Sequence, residues 1–227
     1  MSPEAPVVAR MQSLILQWEE ASNPQAVFLS CYMMMTSNVL AALEQEEFKD
    51  PAWVGELLHR FADYYFVALA DYERDPTAAP LVWQLAHNAT RDPHAQPLQN
   101  LLLGVNAHIN YDLVLTLVEL LRPEWSDLSE AQRATRYSDY SHVNDVIART
   151  IDLVQDQILE PSMPLMDLFD KLLGPLDEYL VSRLITHWRE TVWQNTCRLL
   201  EARASDDQAP LLLEIEGEAL QLGRLIR

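Results

Sequence analysis

The chain of 227 residues carries 34 acidic against 16 basic side chains, a net charge of −18, and 49% of its residues are hydrophobic. A chain of this length can bury a sizeable core, and we expect one domain over residues 1–227. An acidic surface repels phosphate backbones and anionic lipid headgroups, so the charge argues against nucleic-acid and membrane partners.

The cysteines and the N-terminal residues bear on the cellular compartment. Cys31 and Cys197 are the only cysteines, and neither belongs to a Cys-x-x-Cys pair. This usage argues against a disulfide scaffold or a structural zinc site. The N-terminal residues show no basic region leading into an apolar stretch, so no secretory signal is predicted and we expect a cytoplasmic protein.

Apolar residues recur at helical spacing along the whole chain. Glycine is scarce, with 5 in the chain, and the prolines fall between the apolar clusters. The pattern predicts an all-α, single-domain bundle of about eight or nine helices. In chain order, the predicted helices cover about residues 7–21, 24–43, 51–72, 81–88, 97–121, 129–159, 165–173, 176–202 and 210–226. Asp50 and Pro51 form a start signal, as N-cap and first helical residue, and Ser129 is a second N-cap.

The predicted helix over residues 97–121 is apolar on every side, which is typical of a buried central element. We expect three helices to surround it, those over residues 50–72, 129–159 and 176–202. Four polar residues interrupt its apolar run: Asn106, His108, Asn110 and Asp112. Burying an unpaired polar group costs roughly 2–7 kcal/mol, so these four need partners from neighbouring helices, water, a ligand or a metal.

His108 and Asp112 are four positions apart and therefore share one face of the central helix. This spacing predicts that Asp112 accepts a hydrogen bond from one ring nitrogen of His108 and that the other nitrogen borders a cavity. The alternative is a core histidine whose hydrogen bonds are all satisfied within the protein.

Three asparagines and a second aspartate complete the candidate site. Asn106 and Asn110 share the face roughly opposite His108. In the helix after the central one, Asp139 and Asn144 flank the apolar face, so both can lean inward. Taken alone, Asp139 is better explained as an acidic residue in a first helical turn, where the helix dipole favours it.

These residues favour a small-molecule enzyme or ligand-binding protein with a polar pocket at the central helix. His108 would act as the acid/base, Asp112 or Asp139 would orient it, and the three asparagines would hold a polar group of the substrate. No phosphate-loop, dinucleotide-binding, Gly-x-Ser-x-Gly or His-Glu-x-x-His motif occurs. The sequence therefore specifies no reaction class, substrate, cofactor or oligomeric state.

Two alternatives stay open for the same residues. A metal-dependent enzyme would use His108, Asp112 and Asp139, with Glu119 as a further candidate, as ligands of zinc, iron or manganese. A non-catalytic binding or scaffold protein would use the buried set as a fully paired polar network that fixes helix register.

Other histidines lack a comparable setting. Glu56 and His59 have the Glu-x-x-His spacing of carboxylate-bridged di-metal bundles, but only one copy occurs and it lies opposite the apolar face. His87, His94 and His187 have no partner at a ligand spacing. We expect all of these side chains at the surface.

Residues 101–113 read LLLGVNAHINYDL. This segment resembles the LLLGxNAHINxDL signature of a bacterial family of unknown function, domain of unknown function 5995. The likeness covers nearly the whole chain. Phe61–Leu69 is similar to the family's aromatic helix, Trp83 precedes the signature, Asp139–Asn144 resembles its DFxxIN segment, and Trp188 lies near its late tryptophan.

The chain departs from the family pattern at two positions. Asn100 stands where many members have histidine, and Tyr140 replaces the usual phenylalanine. The resemblance implies an all-helical bacterial domain and no known activity. It also implies that the polar residues singled out above form one constellation, because the family signature consists of those positions.

Overall fold

Eight helices and no strand make up the described part of the chain in this computed structural model, which describes residues 5–156, 178–202 and 205–227. The helices are α1 (Ala5–Glu20), α2 (Gln25–Glu44), α3 (Pro51–Arg74), α4 (Leu81–Ala89), α5 (Pro97–Leu121), α6 (Glu130–Asp156), α7 (Glu178–Glu201) and α8 (Ser205–Ile226). Their buried apolar side chains form one hydrophobic core. The predicted all-α class is thus confirmed.

Short polar sequences set the beginnings of the helices. The Asp50 carboxylate accepts a hydrogen bond from the backbone N–H of Trp53, and Pro51 occupies the first turn of α3, as the start signal predicts. At α6, Ser129 and Gln132 bond each other's backbone N–H groups in a reciprocal cap. These caps satisfy N–H groups that have no partner within the helix.

One helix boundary differs from the prediction. Helix α8 begins at Ser205 and includes Pro210, whereas the sequence suggested a linker there and a helix start at the proline. The predicted short helix near residues 165–173 lies outside the described residues.

Helix α5 is the central element, as predicted, but its neighbours differ in part. Five helices contact α5 along its length: α2, α3, α4, α7 and α8. Helix α6 packs chiefly on α2 and α7, so its predicted place directly against α5 is wrong. The last helix, α8, takes that place because it lies along the face of α5 that carries Asn106.

The expectation of no membrane partner is also corrected. Two of the described helices, Gln25–Glu44 and Pro97–Leu121, are long and apolar enough to cross a membrane. In the folded chain, 44% of the most apolar window of the first and 67% of that of the second are buried. Length and composition alone therefore do not separate a core helix from a membrane span here, and net charge does not exclude a membrane.

Gly104 allows α2 to lie unusually close to α5. A Cβ atom at this position would come within 2.6 Å of the Phe28 ring, and 3.0 Å of the Cβ of Phe28. Real Cβ atoms do not approach other atoms so closely, so any larger residue requires the Phe28 side chain or the two helices to shift. Phe28 belongs to the aromatic cluster around His108, and the glycine therefore helps to position the site.

We predict that Gly104→Ala lowers the free energy of unfolding by about 1–3 kcal/mol because the added methyl group overpacks the α2–α5 contact. Denaturant unfolding measures the change. The matched control is Gly55→Ala in α3, where an added Cβ meets nothing within 4 Å. The control should leave stability unchanged or raise it by up to about 1 kcal/mol through helix propensity. Equal stabilities of the two variants would contradict the close-approach argument.

Candidate functional site

One turn of π-helix interrupts α5 at the candidate site. It covers His108–Asp112, and the backbone N–H of Leu113 bonds to the carbonyl of His108, five residues back. The Thr116 hydroxyl donates to the carbonyl of Asp112 at 2.8 Å. Such single π turns occur frequently at functional sites because they widen the helix locally. Apolar periodicity did not predict this turn.

His108 and Asp112 form a buried pair within this turn. The Nδ1 atom of His108 lies 3.0 Å from Oδ2 of Asp112. The indole N–H of Trp83 donates to the same carboxylate, with Nε1 at 3.0 Å from each oxygen. Because α4 carries Trp83, the carboxylate joins α4 to α5 and holds the imidazole ring in one orientation. The predicted His108–Asp112 contact is therefore present, and Trp83 is an additional partner.

Burial controls the ionisation of the pair. It lowers the pKa of the His108 imidazole well below its ordinary value. It raises the pKa of the Asp112 carboxyl well above its ordinary value, and the hydrogen bond from Trp83 opposes this shift. Both shifts favour the uncharged forms, so His108 is neutral near pH 7. In the tautomer whose Nδ1 proton is donated to Asp112, the Nε2 atom carries a lone pair.

Aromatic rings enclose the imidazole. The Phe61 ring stacks on it at 3.5 Å between centroids and 7° between planes. Tyr32 meets its edge at 4.3 Å. The rings of Phe28, Tyr65 and Trp83 lie within 6.2 Å. This apolar surrounding is the physical cause of the lowered histidine pKa, because it removes the water that would stabilise an imidazolium.

A cavity of about 170 Å³ borders His108. Its lining is almost entirely apolar and comes from α2, α3, α5, α6 and α7, including Phe28, Met35, Val54, Leu58, Leu101, Ile109, Val143, Ile147, Ile185 and Trp188. The free thiol of Cys31 also lines it, and burial raises the pKa of this thiol to about 12, so it stays protonated. The sequence suggested a polar pocket, and the lining differs from that expectation.

Three polar atoms at this cavity have no hydrogen-bond partner within residues 5–156, 178–202 and 205–227. They are Nε2 of His108, the hydroxyl of Tyr32 and Oγ1 of Thr36, and all three are buried. The two hydroxyls interact with one another but not with hydrogen-bond geometry. Burial, and secondly the charge of Asp112, raise the pKa of Tyr32 well above its usual value, so Tyr32 remains a neutral donor. Because the two hydroxyls can satisfy each other, Nε2 of His108 is the atom that calls for a partner from the cavity.

The asparagines of α5 serve a different contact. The Asn106 amide donates to the backbone carbonyl of Ala219 in α8 at 2.9 Å and accepts a hydrogen bond from Asn110, also at 2.9 Å. Neither residue lines the cavity. A Cβ at Gly223 of α8 would lie 3.3 Å from the Asn106 amide nitrogen, so the two helices are closely packed there. These asparagines hold α8 against α5.

Asp139 and Asn144 also lie apart from His108 and do not line the cavity. The Asp139 carboxylate accepts hydrogen bonds from the backbone N–H groups of Lys49 and Asp50 at 2.9 and 2.8 Å. It therefore orders the connection from α2 to α3 and does not orient His108. The Asn144 side-chain oxygen accepts a hydrogen bond from Nε of Arg189 in α7. The structure thus separates the predicted constellation into a His108–Asp112 pair and three interhelical contacts.

A metal site of the predicted composition does not assemble. Within residues 5–156, 178–202 and 205–227, no group of three or more His, Cys, Asp or Glu residues has the geometry to hold a metal ion. Glu119 lies at the surface, where it accepts a hydrogen bond from Tyr64 and lies 3.7 Å from Arg60. Glu119 follows Asp112 by two helical turns, but the π turn over His108–Asp112 rotates the residues beyond it about the helix axis relative to His108.

Several side chains around the cavity and the buried pair were not predicted from the sequence. In the sequence, Trp83 stands out only by its position before the central segment, although a buried indole N–H needs an acceptor. Tyr32 and Phe61 lie on apolar helix faces, which predicts core packing alone, and no pattern distinguishes Thr36. Arg189 follows the apolar position Ile185 by one helical turn, and a cation on a buried face is the signal that could have identified it.

His87 is buried, so its predicted surface position is wrong. It is 4% exposed, packs between the rings of Tyr72 and Trp83, and has Nδ1 3.3 Å from the side-chain nitrogen of Gln25. Burial, with a smaller effect of Arg91, lowers the pKa of His87 to about 4. The short helix α4 turns this side chain toward α3, which the loop-like flanking sequence did not indicate. His94 and His187 are exposed, as expected.

The fold and the site together define an all-α protein with an apolar cavity beside a buried histidine–aspartate pair. The chain belongs to the family that the LLLGVNAHINYDL segment indicated: a family model described as "Family of unknown function (DUF5995)" matches residues 5–227. No curated protein and no solved structure matches the chain. The family membership therefore identifies relatives without an assigned activity.

We predict that His87 makes stability depend on pH. Its folded-state pKa of about 4 lies below that of an unfolded histidine, about 6.5. The unfolded chain therefore binds more protons between these values, so the contribution is complete above about pH 6.5 and is lost as the pH falls toward 4. Between pH 7 and 4.5 the loss should be about 2–3 kcal/mol.

The measurement compares the free energy of unfolding of the wild type and His87→Gln at both pH values. The variant should lose about 2–3 kcal/mol less than the wild type over this interval. His94→Gln, at an exposed histidine, is the matched control and should keep the wild-type pH dependence. Parallel pH profiles for all three proteins would contradict a buried neutral His87.

Proposed function

We propose that the protein binds a small, largely apolar molecule in the cavity beside His108 and that Nε2 of His108 accepts a hydrogen bond from it. The observation that carries the proposal is the unpaired, buried Nε2 atom at the border of an apolar cavity. Ligand pockets combine a mainly apolar lining with a few polar groups that fix orientation. His108, Tyr32 and Thr36 provide such a group of polar atoms.

The cavity volume limits the size of the ligand. A dry apolar cavity of about 150 Å³ is large enough to bind benzene. The 170 Å³ cavity next to His108 therefore suits a molecule of about one aromatic ring or a short acyl chain. Its apolar lining supplies binding energy by removing the ligand's hydrocarbon surface from water.

The Asp112–His108 pair indicates whether the ligand donates or accepts the hydrogen bond at His108. Asp112 engages Nδ1, so the free nitrogen is an acceptor and the ligand supplies a donor such as a hydroxyl or an N–H group. The neighbouring hydroxyls of Tyr32 and Thr36 can both donate and accept, so they suit either an oxygen or a second donor on the ligand.

Phenol and toluene test this proposal because they share a ring and differ in one hydrogen-bond donor. Calorimetric titration should detect binding of both to the wild type. In His108→Leu, toluene affinity should stay within about threefold, while the ratio of phenol to toluene affinity should fall about tenfold, the value of one hydrogen bond. The matched control is His94→Leu, the same change at an exposed histidine, and it should bind both probes as the wild type does.

Two outcomes would contradict the proposal. Failure of the wild type to bind either probe would remove the ligand-binding role of the cavity. An unchanged phenol-to-toluene ratio in a folded His108→Leu variant would remove the role of Nε2. If that variant does not fold, Thr36→Val provides the second comparison, because it removes an unpaired hydroxyl with little change in volume and should also lower the ratio.

A second candidate is catalysis, favoured by the buried carboxyl group of Asp112 at Nδ1 of His108 and by the unpartnered Nε2 atom at the cavity. In this version Nε2 takes a proton from a water molecule or from the bound molecule, and Asp112 stabilises the imidazolium that results. Cys31 does not supply a nucleophile, because its thiol stays protonated.

Hydrolysis of p-nitrophenyl acetate tests the catalytic version with a small neutral ester. We expect His108→Gln to lower the rate above background by about 10²-fold or more, since a positioned base contributes about that factor. Asp112→Asn should lower it as well, because it disturbs the ring orientation, and His94→Gln should not. Equal rates for the wild type and His108→Gln would contradict a catalytic role for this nitrogen in ester hydrolysis.

A further inference from the structure

Arg189 is a buried cation at the wall of the same cavity. Its side chain comes from α7, is 4% exposed, and lines the cavity beside Ile185 and Trp188. Arginine is among the residues least often fully buried without a charged partner. A desolvated guanidinium without a counter-charge costs several kcal/mol, so this residue calls for an anion nearby.

The described residues supply no such anion. The arginines that form ion pairs with carboxylates are Arg60, Arg74, Arg136, Arg149 and Arg198. Within the described ranges, the acceptors that Arg189 reaches are both neutral: the side-chain oxygen of Asn144 and the backbone carbonyl of Tyr140. These bonds use Nε and one Nη2 hydrogen, and the remaining N–H groups have no acceptor among those residues.

The same contacts hold the guanidinium rigidly. The Tyr140 hydroxyl donates to the backbone carbonyl of Arg189 at 2.6 Å, and Nη2 of Arg189 donates to the backbone carbonyl of Tyr140 at 2.8 Å. The guanidinium carbon lies 4.4 Å from the centroid of the Tyr140 ring. A planar, fixed guanidinium with free N–H groups is suited to bidentate recognition of a carboxylate.

We propose that the natural ligand of the cavity is a small apolar carboxylic acid, bound as its anion, with the carboxylate paired to Arg189. The inference rests on the proposed binding function and specifies the chemical class of the ligand. One fixed cation balances one negative charge, and the apolar lining suits a hydrocarbon body. A hydroxyl or N–H group on that body supplies the donor for Nε2 of His108. A phosphate would bring about two charges and three acceptor oxygens, which one guanidinium in an apolar wall does not satisfy.

Benzoate and benzamide provide a matched test, because they have nearly the same size and only benzoate is charged. At pH 7, the wild type should bind benzoate at least about tenfold more tightly than benzamide. Arg189→Met should abolish this preference and leave benzamide affinity within about threefold. Arg198→Met, the same change at a surface arginine paired with Glu214, is the control and should keep the preference.

A second measurement uses the wild type alone, in case Arg189→Met does not fold. Calorimetric titrations with benzoate at pH 7 in two buffers of different ionisation enthalpy report the protons taken up on binding. We expect none, because the ligand enters and stays ionised. Uptake of about one proton would mean that the neutral acid binds, and this would overturn the pairing with Arg189.

The outcomes separate this inference from the proposed function. If phenol, toluene and benzamide bind but benzoate binds no more tightly than benzamide, the carboxylate assignment is wrong and the cavity remains a binding site. The same result is expected if a carboxylate of the chain itself already neutralises Arg189. If none of the probes binds, the proposed function itself fails.

Discussion

The burial of one carboxylate organises the centre of this protein. A charged or hydrogen-bonding group that loses water must find donors, and Asp112 finds them in the indole of Trp83 and the imidazole of His108. These bonds tie α4 to α5 and orient the histidine ring. The ring in turn provides the flat surface on which Phe61 stacks. The polar border of the cavity therefore depends on how Asp112 is satisfied.

Buried polar residues in this chain have two distinct uses. Asn106 and Asp139 bond to backbone groups of other helices or connections, and such residues hold the bundle in one arrangement. Within the described residues, Nε2 of His108 has no hydrogen-bond partner, and the acceptors of Arg189 are neutral and occupy only part of its N–H groups. A structural network satisfies its own members, whereas a binding site leaves part of its capacity for the ligand. This difference is the reason to place function at the cavity and stability at the asparagines.

The short segment LLLGVNAHINYDL supplies several of the packing and hydrogen-bond contacts that the fold and the site need. Gly104 admits the Phe28 ring, Asn106 bonds to α8, and His108 with Asp112 forms the buried pair. Each requirement is met on a different side of α5, and the π turn between His108 and Asp112 changes the direction in which the later residues of the helix face. Several structural constraints on α5 therefore fall within this one segment.

Local spacing was sufficient for much of this structure. Helix starts at Asp50 and Ser129 followed from capping chemistry, the burial of α5 followed from its apolar circumference, and the His108–Asp112 contact followed from a separation of four residues. These inferences involve residues within one or two turns of each other, where helix geometry leaves little freedom.

The sequence by itself determined the all-α class, the approximate helix boundaries, the family and the pairing of His108 with Asp112. Tertiary structure alone decided that Trp83 completes the pair, that Asp139 bonds the start of α3, and that Arg189 reaches the cavity wall. The physical reason is that such contacts join helices distant in sequence. They depend on how each helix is rotated and which neighbour it meets, and a periodic pattern of apolar residues describes one helix at a time.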